Sequence, residues 1–254
     1  MKKFNTFTLA EVFHPAEKSC KIAFTLAEVL ITLGIIGVVA ALTMPSLIAK
    51  HQEKRRIVQL KKAYSVLSQA YQNVITEYGT LDTWGLAVTN TGKVDENNKP
   101  ILNRSGQYEL KKRLEEHLKT TEYHEDLDAY TLNNKKFKFG YEAKDISIQT
   151  VDGIAYEIGY ITNCNPACGE IWIQLTNEKR RLGVSYFAFD IQKNKLQPKG
   201  INDPGLRWGC DINNKQGADN YQYGKFCTAW ALINENMDYL HCDDLSWNGK
   251  RKCN

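Results

Sequence analysis

The architecture of this chain is decided by the stretch Ala23-Phe24-Thr25-Leu26-Ala27-Glu28-Val29-Leu30-Ile31-Thr32-Leu33-Gly34-Ile35-Ile36-Gly37-Val38-Val39-Ala40-Ala41-Leu42-Thr43-Met44-Pro45. Between residues 24 and 49 the only ionisable side chain is Glu28. A helix rises about 1.5 Å per residue, so this segment is long enough to cross a hydrocarbon core of about 30 Å. A carboxylate inside such a segment costs about 2.5–3.5 kcal/mol on insertion scales, so Glu28 needs a reason. The simplest reading is a plain membrane anchor with Glu28 near the lipid headgroups.

These residues resemble the N-terminal signature of type IV pilins and the related pseudopilins. In that family a basic leader ends in a small residue and is followed by Phe-Thr-Leu-x-Glu and an apolar helix. The resemblance implies that a prepilin peptidase cleaves between Ala23 and Phe24 and that the new Phe24 amine is N-methylated. The family prefers Gly before the cleavage site, whereas this chain has Ala23, so slower cleavage is expected.

The resemblance also assigns roles inside the apolar segment, residues 24–48. Glu28 is expected to act in assembly by pairing with the Phe24 amine of a neighbouring subunit. Gly37 and Pro45 fall where pilins often have helix-weakening residues. The implied partners are the prepilin peptidase, identical or related pilin subunits, the assembly machinery of the cytoplasmic membrane, and membrane lipid before assembly.

The remaining composition excludes little. The 254-residue chain has a net charge of +4, and cleavage of the leader, residues 1–23, would leave +2 because four lysines and two glutamates depart with it. No bias towards nucleic acid or a membrane surface follows. About 200 residues remain beyond the membrane segment, enough for one sizeable core. The leader contains a second copy of the motif, Phe7-Thr8-Leu9-Ala10-Glu11-Val12, which no apolar span follows, so we interpret it as an inert duplication.

Six of the seven cysteines lie beyond residue 163, and only Cys20 lies in the leader. An even set on one side of a membrane segment favours disulfides in an oxidising compartment. Zinc is the alternative, but Cys164 and Cys168 have three residues between them and no second close pair. Among 15 possible pairings of six cysteines, the favoured bridges are Cys164–Cys168, Cys210–Cys227 and Cys242–Cys253.

After Pro45 the pattern becomes amphipathic, and it predicts that the helix continues over residues 49–79. Apolar residues recur at three- and four-residue steps, and Gly79 is the predicted stop: Ile57, Leu60, Tyr64, Leu67, Tyr71, Val74 and Tyr78. A dimeric coiled coil is one explanation of this stripe. Packing against a sheet formed by the same chain is the favoured one, because a strand-rich region follows.

A basic cluster begins this second half of the helix: Lys50, His51, Lys54, Arg55 and Arg56. It outweighs the lysines of the leader, so the positive-inside rule argues against an exported C-terminal part. The leader motif and the cysteine distribution favour export. Such a cluster could bind DNA, but lipid headgroups or neighbouring subunits are the favoured partners.

Residues 80–254 are predicted to form a globular head with a cysteine-rich tail. Residues 89–92 and 96–100 are predicted loops, residues 108–119 a short helix, and residues 227–240 another. Apolar residues alternate near residues 137–139, 146–148, 155–158, 171–175 and 184–190, with Asp152-Gly153 as a hairpin turn. The predicted fold class is α+β: a long N-terminal helix packed on an antiparallel sheet, with a disulfide-rich C-terminal loop.

No cofactor is expected, and calcium is the metal considered for the acidic residues. Asp190, Asp203, Asp211, Asn213 and Asp219 form an acidic group in and near the tail, but their spacing lacks the pattern of a known calcium loop. Cys164 with His124 or His241 could be called a nucleophile and base. No serine elbow, phosphate loop or zinc-protease motif occurs, so the chain is not expected to be an enzyme.

We therefore expect a structural subunit of a type IV pilus-like or type II secretion-like filament. It would begin as a single-pass protein of the cytoplasmic membrane with its head outside the cytoplasm, and then join a periplasmic or cell-surface filament. The alternatives are a membrane-tethered binding protein that never assembles and a DNA-uptake pseudopilin.

Overall fold

The computed structural model describes residues 25–85, 89–94, 98, 100–123, 128–137, 146–175, 178–201, 210 and 223–253. The chain divides into two compact units, Met1–Leu47 and Ile48–Asn254. The helices are α1 (Leu26–Tyr78), α2 (Ser105–Glu115) and α3 (Cys227–Ile233). The strands in chain order are β1 (Thr89–Val94), β2 (Pro100–Asn103), β3 (Thr120–Thr121), β4 (Ala129–Tyr130), β5 (Lys136–Phe137), β6 (Ser147–Thr150), β7 (Ala155–Ile161), β8 (Gly169–Gln174), β9 (Arg180–Arg181), β10 (Tyr186–Ile191) and β11 (Leu196–Pro198).

Helix α1 is continuous and contains Pro45 in its interior. It ends before Gly79, which has a φ of +80° and donates its backbone N–H to Ile75 O at 2.9 Å. A left-handed backbone conformation costs glycine little, and it turns the chain out of the helix. The predictions of one long helix and of a stop at Gly79 are confirmed.

The second half of α1 packs on a sheet of its own chain. Tyr64 stacks on Phe189 of β10 with ring centroids 5.0 Å apart, and the Tyr156 hydroxyl donates to Ala63 O at 3.2 Å. Leu60 and Leu67 are fully buried, and each such side chain contributes about 1.5–3 kcal/mol. The predicted packing of the amphipathic stripe on the chain's own sheet is therefore confirmed.

The main sheet has six strands in the order β11-β10-β8-β7-β6-β3, and every neighbouring pair is antiparallel. Side chains alternate across it, because successive residues of a strand point to opposite faces. Ile171, Ile173, Phe187 and Phe189 join the core that contains α1, whereas Trp172, Tyr186 and Ala188 form a second cluster with Leu182. Together with the long helix and three disulfides, this sheet confirms the predicted α+β fold.

The turn between β6 and β7 is also as predicted. Gly153 has a φ of +82° and donates its N–H to Thr150 O at 2.8 Å. Asp152 accepts a hydrogen bond from the Thr150 hydroxyl at 2.7 Å. The Asp-Gly pair thus closes a tight hairpin in the way its sequence indicates.

One prediction about the irregular region is wrong, and one small sheet was not fully predicted. Residues 89–92 are not a loop but belong to β1, which pairs antiparallel with β2, with Thr89 opposite Asn103. Thr, Asn and Gly give no alternating apolar pattern, so the strand had no signal in the sequence. A three-stranded sheet, β5-β4-β9, was predicted only in part: β5 lies at the start of the alternation near residues 137–139, whereas β4 and β9 were missed, because each is two residues long and they pair in parallel.

The two short helices differ from prediction at their ends. Helix α2 begins at Ser105 and ends at Glu115, so it starts and stops earlier than the predicted residues 108–119. Helix α3 ends at Ile233 instead of running to residue 240, and a separate 3₁₀ turn follows at Asp238–Leu240. Glu235 has a φ of 54°, and this left-handed residue interrupts the predicted helix.

Three disulfides join Cys164 to Cys168, Cys210 to Cys227, and Cys242 to Cys253. These are the three pairs favoured from the sequence. Cys168, Cys210 and Cys227 are fully buried in the main core. The Cys210–Cys227 disulfide is therefore an apolar part of the core as well as a covalent link.

Candidate functional site

The candidate site begins at the start of α1, where Thr25 and Glu28 bond to each other. The Thr25 backbone N–H and hydroxyl both donate to Glu28 Oε2, at 2.9 and 2.8 Å, and Glu28 N–H donates to Thr25 Oγ1 at 3.2 Å. This reciprocal arrangement is a capping box, which satisfies backbone donors that a helix start leaves open. Among the described residues, nothing donates a hydrogen bond to Glu28 Oε1. The spacing Thr-x-x-Glu was the signal for this cap, and sequence analysis did not use it.

The rest of the apolar segment is exposed along its length. Its large apolar side chains include Leu26, Leu30 and Ile36, which are 78%, 61% and 63% exposed. Soluble monomers seldom expose a continuous apolar surface of this size, so such a surface indicates contact with lipid or with protein. Within the described part of the chain, α1 is the one helix long and apolar enough to cross a membrane.

Gly37 and Pro45 lie inside the continuous helix. An added Cβ at Gly37 would have no neighbouring atom within 4 Å, so the glycine is not required by close packing in the isolated chain. Pro45 has no backbone N–H, and Thr43 donates its hydroxyl to Val39 O at 2.9 Å. The missing N–H of Pro45 removes one helical hydrogen bond, and the Thr43 hydroxyl weakens another by bonding to Val39 O. Ala23 and Phe24, the predicted cleavage and methylation residues, lie outside the described residues.

A basic face follows the apolar segment, formed by Lys50, His51, Lys54 and Arg55. All four side chains are exposed. Arg56, the fifth base of the predicted cluster, is instead partly buried and pairs with Glu178 at 2.8 Å. The structure thus separates one structural arginine from four bases that face outwards.

The second unit also contains a buried charge cluster that sequence analysis missed. Glu170 of β8 lies directly opposite Asp190 of β10, which would place two like charges together. Lys199 contacts both carboxylates, at 2.7 Å for Glu170, and Lys225 contacts Glu170 at 2.7 Å. The Glu170 and Lys225 side chains are only 4% and 9% exposed. Burial lowers the pKa of Lys225, and the nearby Glu170 opposes that effect.

This cluster has a structural role. Two cations balance two carboxylates, so neither sign is left over for a ligand. The calcium candidate Asp190 is thereby bound to Lys199. The other candidates, Asp203, Asp211, Asn213 and Asp219, lie outside the described residues. Members of the cluster are far apart in sequence: the register of β8 and β10 brings the two carboxylates together, and the two lysines come from the residues just after β11 and just before α3.

The proposed nucleophile and base do not form a pair. Cys164 is in a disulfide and has no thiol to ionise. His241 instead lies 2.8 Å from Glu53 of α1, and His124 is outside the described residues. Glu77, Glu116 and His117 have ligand atoms close enough together to hold a metal ion. Glu77 and Glu116 are exposed, and exposed acidic groups are common without a metal.

One family comparison gives a match. The model of a family of unknown function, DUF6613, matches residues 46–237, which is more than half of the chain. The chain belongs to this family. The DUF6613 match starts directly after Pro45 and includes the second half of α1, the six-stranded sheet and α3. It overlaps the apolar segment only at residues 46–48. No curated protein and no solved structure matches the chain.

Proposed function

We propose that this DUF6613 protein is a structural subunit of a type IV pilus-like or type II secretion-like filament. The observation that carries the proposal is the exposed apolar segment, which starts with a capped carboxylate and continues into a disulfide-bonded α+β unit. A prepilin peptidase would release the subunit by cleaving after Ala23. The subunit would then leave the cytoplasmic membrane and join others through residues 24–48.

The exposed side chains allow the apolar segment to move from lipid into a filament. In lipid these side chains are not exposed to water. In a bundle of identical helices the same surfaces would pack against each other, again without contacting water. Glu28 would pair with the Phe24 amine of a neighbouring subunit, so that neither charge is left alone in an apolar bundle. Its Oε1 has no donor among the described residues and suits this role.

The disulfides support export of the second unit. Disulfides persist in oxidising compartments, and three of them lie in this unit. This favours a head outside the cytoplasm, anchored by α1. We propose no catalytic role, because the one cysteine considered as a nucleophile is oxidised and the described buried charges are matched to one another.

Cell fractionation tests the proposal. Filaments sheared from cells should contain the protein in its shorter, processed form, and a peptidase-deficient strain should retain the longer form in the membrane. If the processed protein stays wholly in the membrane fraction while a known surface filament is recovered, the membrane-tethered binding protein becomes the better explanation. Loss of DNA uptake without loss of secretion in a deletion strain would favour the uptake pseudopilin.

A further inference from the structure

We propose that the basic face Lys50, His51, Lys54 and Arg55 binds anionic phospholipid headgroups and holds the subunit in the membrane before assembly. This inference rests on the membrane insertion included in the proposed function, but not on filament formation. Its first support is position along α1. The four bases directly follow the apolar segment on the same continuous helix.

Their spacing matches a headgroup layer. A bilayer has a hydrocarbon core of about 30 Å and a total thickness of about 40–45 Å, which leaves about 5–8 Å of headgroups on each side. Lys50 and Arg55 are five residues apart, a rise of about 7.5 Å along a helix. Positions 50, 51, 54 and 55 also fall on one side of a helix, since residues four apart are neighbours. If α1 crosses the membrane, all four bases lie within one layer of phosphates.

The neighbouring carboxylates do not use these bases. Lys50 and Lys54 border a cleft of about 420 Å³ whose other walls include Glu53, Glu235 and Asp238. Each of these acids has another partner: Glu53 contacts His241 at 2.8 Å, Glu235 contacts Lys61 at 2.5 Å, and Asp238 accepts from Cys253 N–H at 2.7 Å. Within the described part of the chain, Lys50, His51, Lys54 and Arg55 make no ion pair.

The disulfides remove the usual explanation for bases at this position. Lysines and arginines beside a membrane helix normally mark its cytoplasmic end. The basic face, however, belongs to the same unit as three disulfides, which indicate the oxidising side. The positive-inside rule would place these bases in the cytoplasm, so they do not explain an orientation of α1 with the disulfides outside. A local anionic partner accounts for their presence. A phospholipid is the anion that a membrane-spanning α1 brings within reach.

The experiment uses the full chain in nanodiscs made of equal parts of phosphatidylglycerol and phosphatidylcholine. Native mass spectrometry then counts the lipids that remain bound to the protein after it is released from the nanodiscs. The wild type should retain phosphatidylglycerol in preference. Lys50→Gln with Lys54→Gln should lower this preference about 25-fold, since each base near an anionic surface contributes about fivefold.

The matched control is Lys112→Gln with Lys119→Gln, which removes two exposed lysines from another part of the same unit. It should retain the wild-type preference. The absence of a phosphatidylglycerol preference in the wild type would overturn the proposal. An equal loss in the control would also overturn it, because the preference would then depend only on net charge. Displacement of the lipid by inorganic phosphate, beyond that by chloride at equal ionic strength, would assign the face to free phosphate instead.

Two further outcomes separate this inference from the proposed function. A chain that does not enter nanodiscs contradicts both. A chain that enters them without selecting phosphatidylglycerol contradicts only the headgroup site, and sheared filaments can still contain the wild type.

Amine labelling in neutral nanodiscs identifies a competing partner. If Lys50 and Lys54 are protected from labelling there in a cross-linked dimer, a second subunit covers the basic face and the lipid assignment is wrong.

Discussion

Glu28 has two separable properties, its charge and its capping contacts. A glutamine can accept the same hydrogen bonds as the glutamate of a capping box, so Glu28→Gln removes the charge and keeps the cap. If Glu28 neutralises a neighbour's Phe24 amine, the loss of one member of a buried pair costs about 3–5 kcal/mol. At about 1.4 kcal/mol per tenfold, subunit addition weakens by about two to three orders of magnitude. Immunoblots of membrane and sheared fractions should find the variant processed but missing from filaments.

Thr25→Ala is the control, because it removes part of the cap and keeps the carboxylate. It should cost about 1 kcal/mol at the helix start and leave filaments detectable. Wild-type amounts of Glu28→Gln in filaments, without any wild-type subunit, would exclude the pairing mechanism. Glu28 would then remain a helix cap and a recognition residue for the peptidase.

Glu170 gives a second prediction at this scale, on stability. Glu170→Gln leaves the buried Lys225 without a charged partner, so the free energy of unfolding should fall by about 3–5 kcal/mol. Asp152→Asn breaks the exposed pair with Lys62 and should cost less than about 1 kcal/mol. Urea titration followed by circular dichroism compares the two. Equal losses would mean that the buried cluster is no more important than a surface pair.

The control pair also has a defined pH dependence. Hydrogen bonds from Lys62 and Thr150 lower the pKa of Asp152. A carboxyl whose pKa is lowered on folding stabilises the fold above its unfolded pKa, and that contribution disappears as the pH falls through the folded pKa. The small difference between wild type and Asp152→Asn should therefore be present at neutral pH, begin to fall near pH 4, about the unfolded pKa, and vanish only below the lowered folded pKa.

At the scale of elements, the span of α1 between Gly37 and Pro45 should be its weakest part. Pro45 removes one backbone hydrogen bond, and glycine costs about 1 kcal/mol relative to alanine in a helix. Backbone amides of residues 38–44 should exchange faster than those of residues 28–36 in detergent micelles. Gly37→Ala should slow that exchange about fivefold, because the site has room for a methyl group. Uniform exchange along α1, or unbroken hydrogen bonding in a filament map, would contradict the prediction.

The elements that were predicted correctly from the sequence are those with strong periodic signals. Helix α1, the hairpin at Asp152-Gly153 and the central strands β7, β8 and β10 each combine apolar spacing with a stop or turn residue. Strand β1 and the two-residue strands β4 and β9 were missed, because no local pattern marks them and β4 and β9 form only by pairing with each other across a long sequence separation. The cap at Thr25 was within reach of the sequence. The cluster around Glu170 was not, since it depends on strand register.

The disulfides give a prediction of their own. Three bridges use all the cysteines outside the leader, so exported protein should contain no free thiol. Thiol labelling under denaturing, non-reducing conditions should leave it unlabelled, and reduction should then expose six sites. Several labelled thiols before reduction would contradict the pairing and would favour a metal site at these cysteines.

For the whole molecule, the family match and the exposed surface concern different parts of the chain. DUF6613 covers residues 46–237, whereas the leader motif and all but the last three residues of the apolar segment precede them. The head and the exposed apolar segment are therefore supported by separate observations. The link between them is the continuous α1, which contributes exposed apolar residues to one unit and buried ones to the other.

Processing is the event that would convert this chain from a membrane protein into a subunit. Two copies of the same motif are present, beginning at Phe7 and at Phe24, but an apolar span follows only the second. A peptidase that works in the membrane needs its bond presented by a spanning helix, so cleavage should occur only before Phe24. The N-terminal sequence of the mature protein should therefore begin at Phe24.

Two variants test this choice of site. Ala23→Gly should speed cleavage before Phe24, since the pilin family that the motif resembles prefers glycine before the bond. Thr6→Gly supplies the same glycine before the first copy and should still yield no product that begins at Phe7. A mature chain beginning at Phe7, or one that retains Met1 in filaments, would show that the apolar span does not select the site and would remove processing from the proposed function.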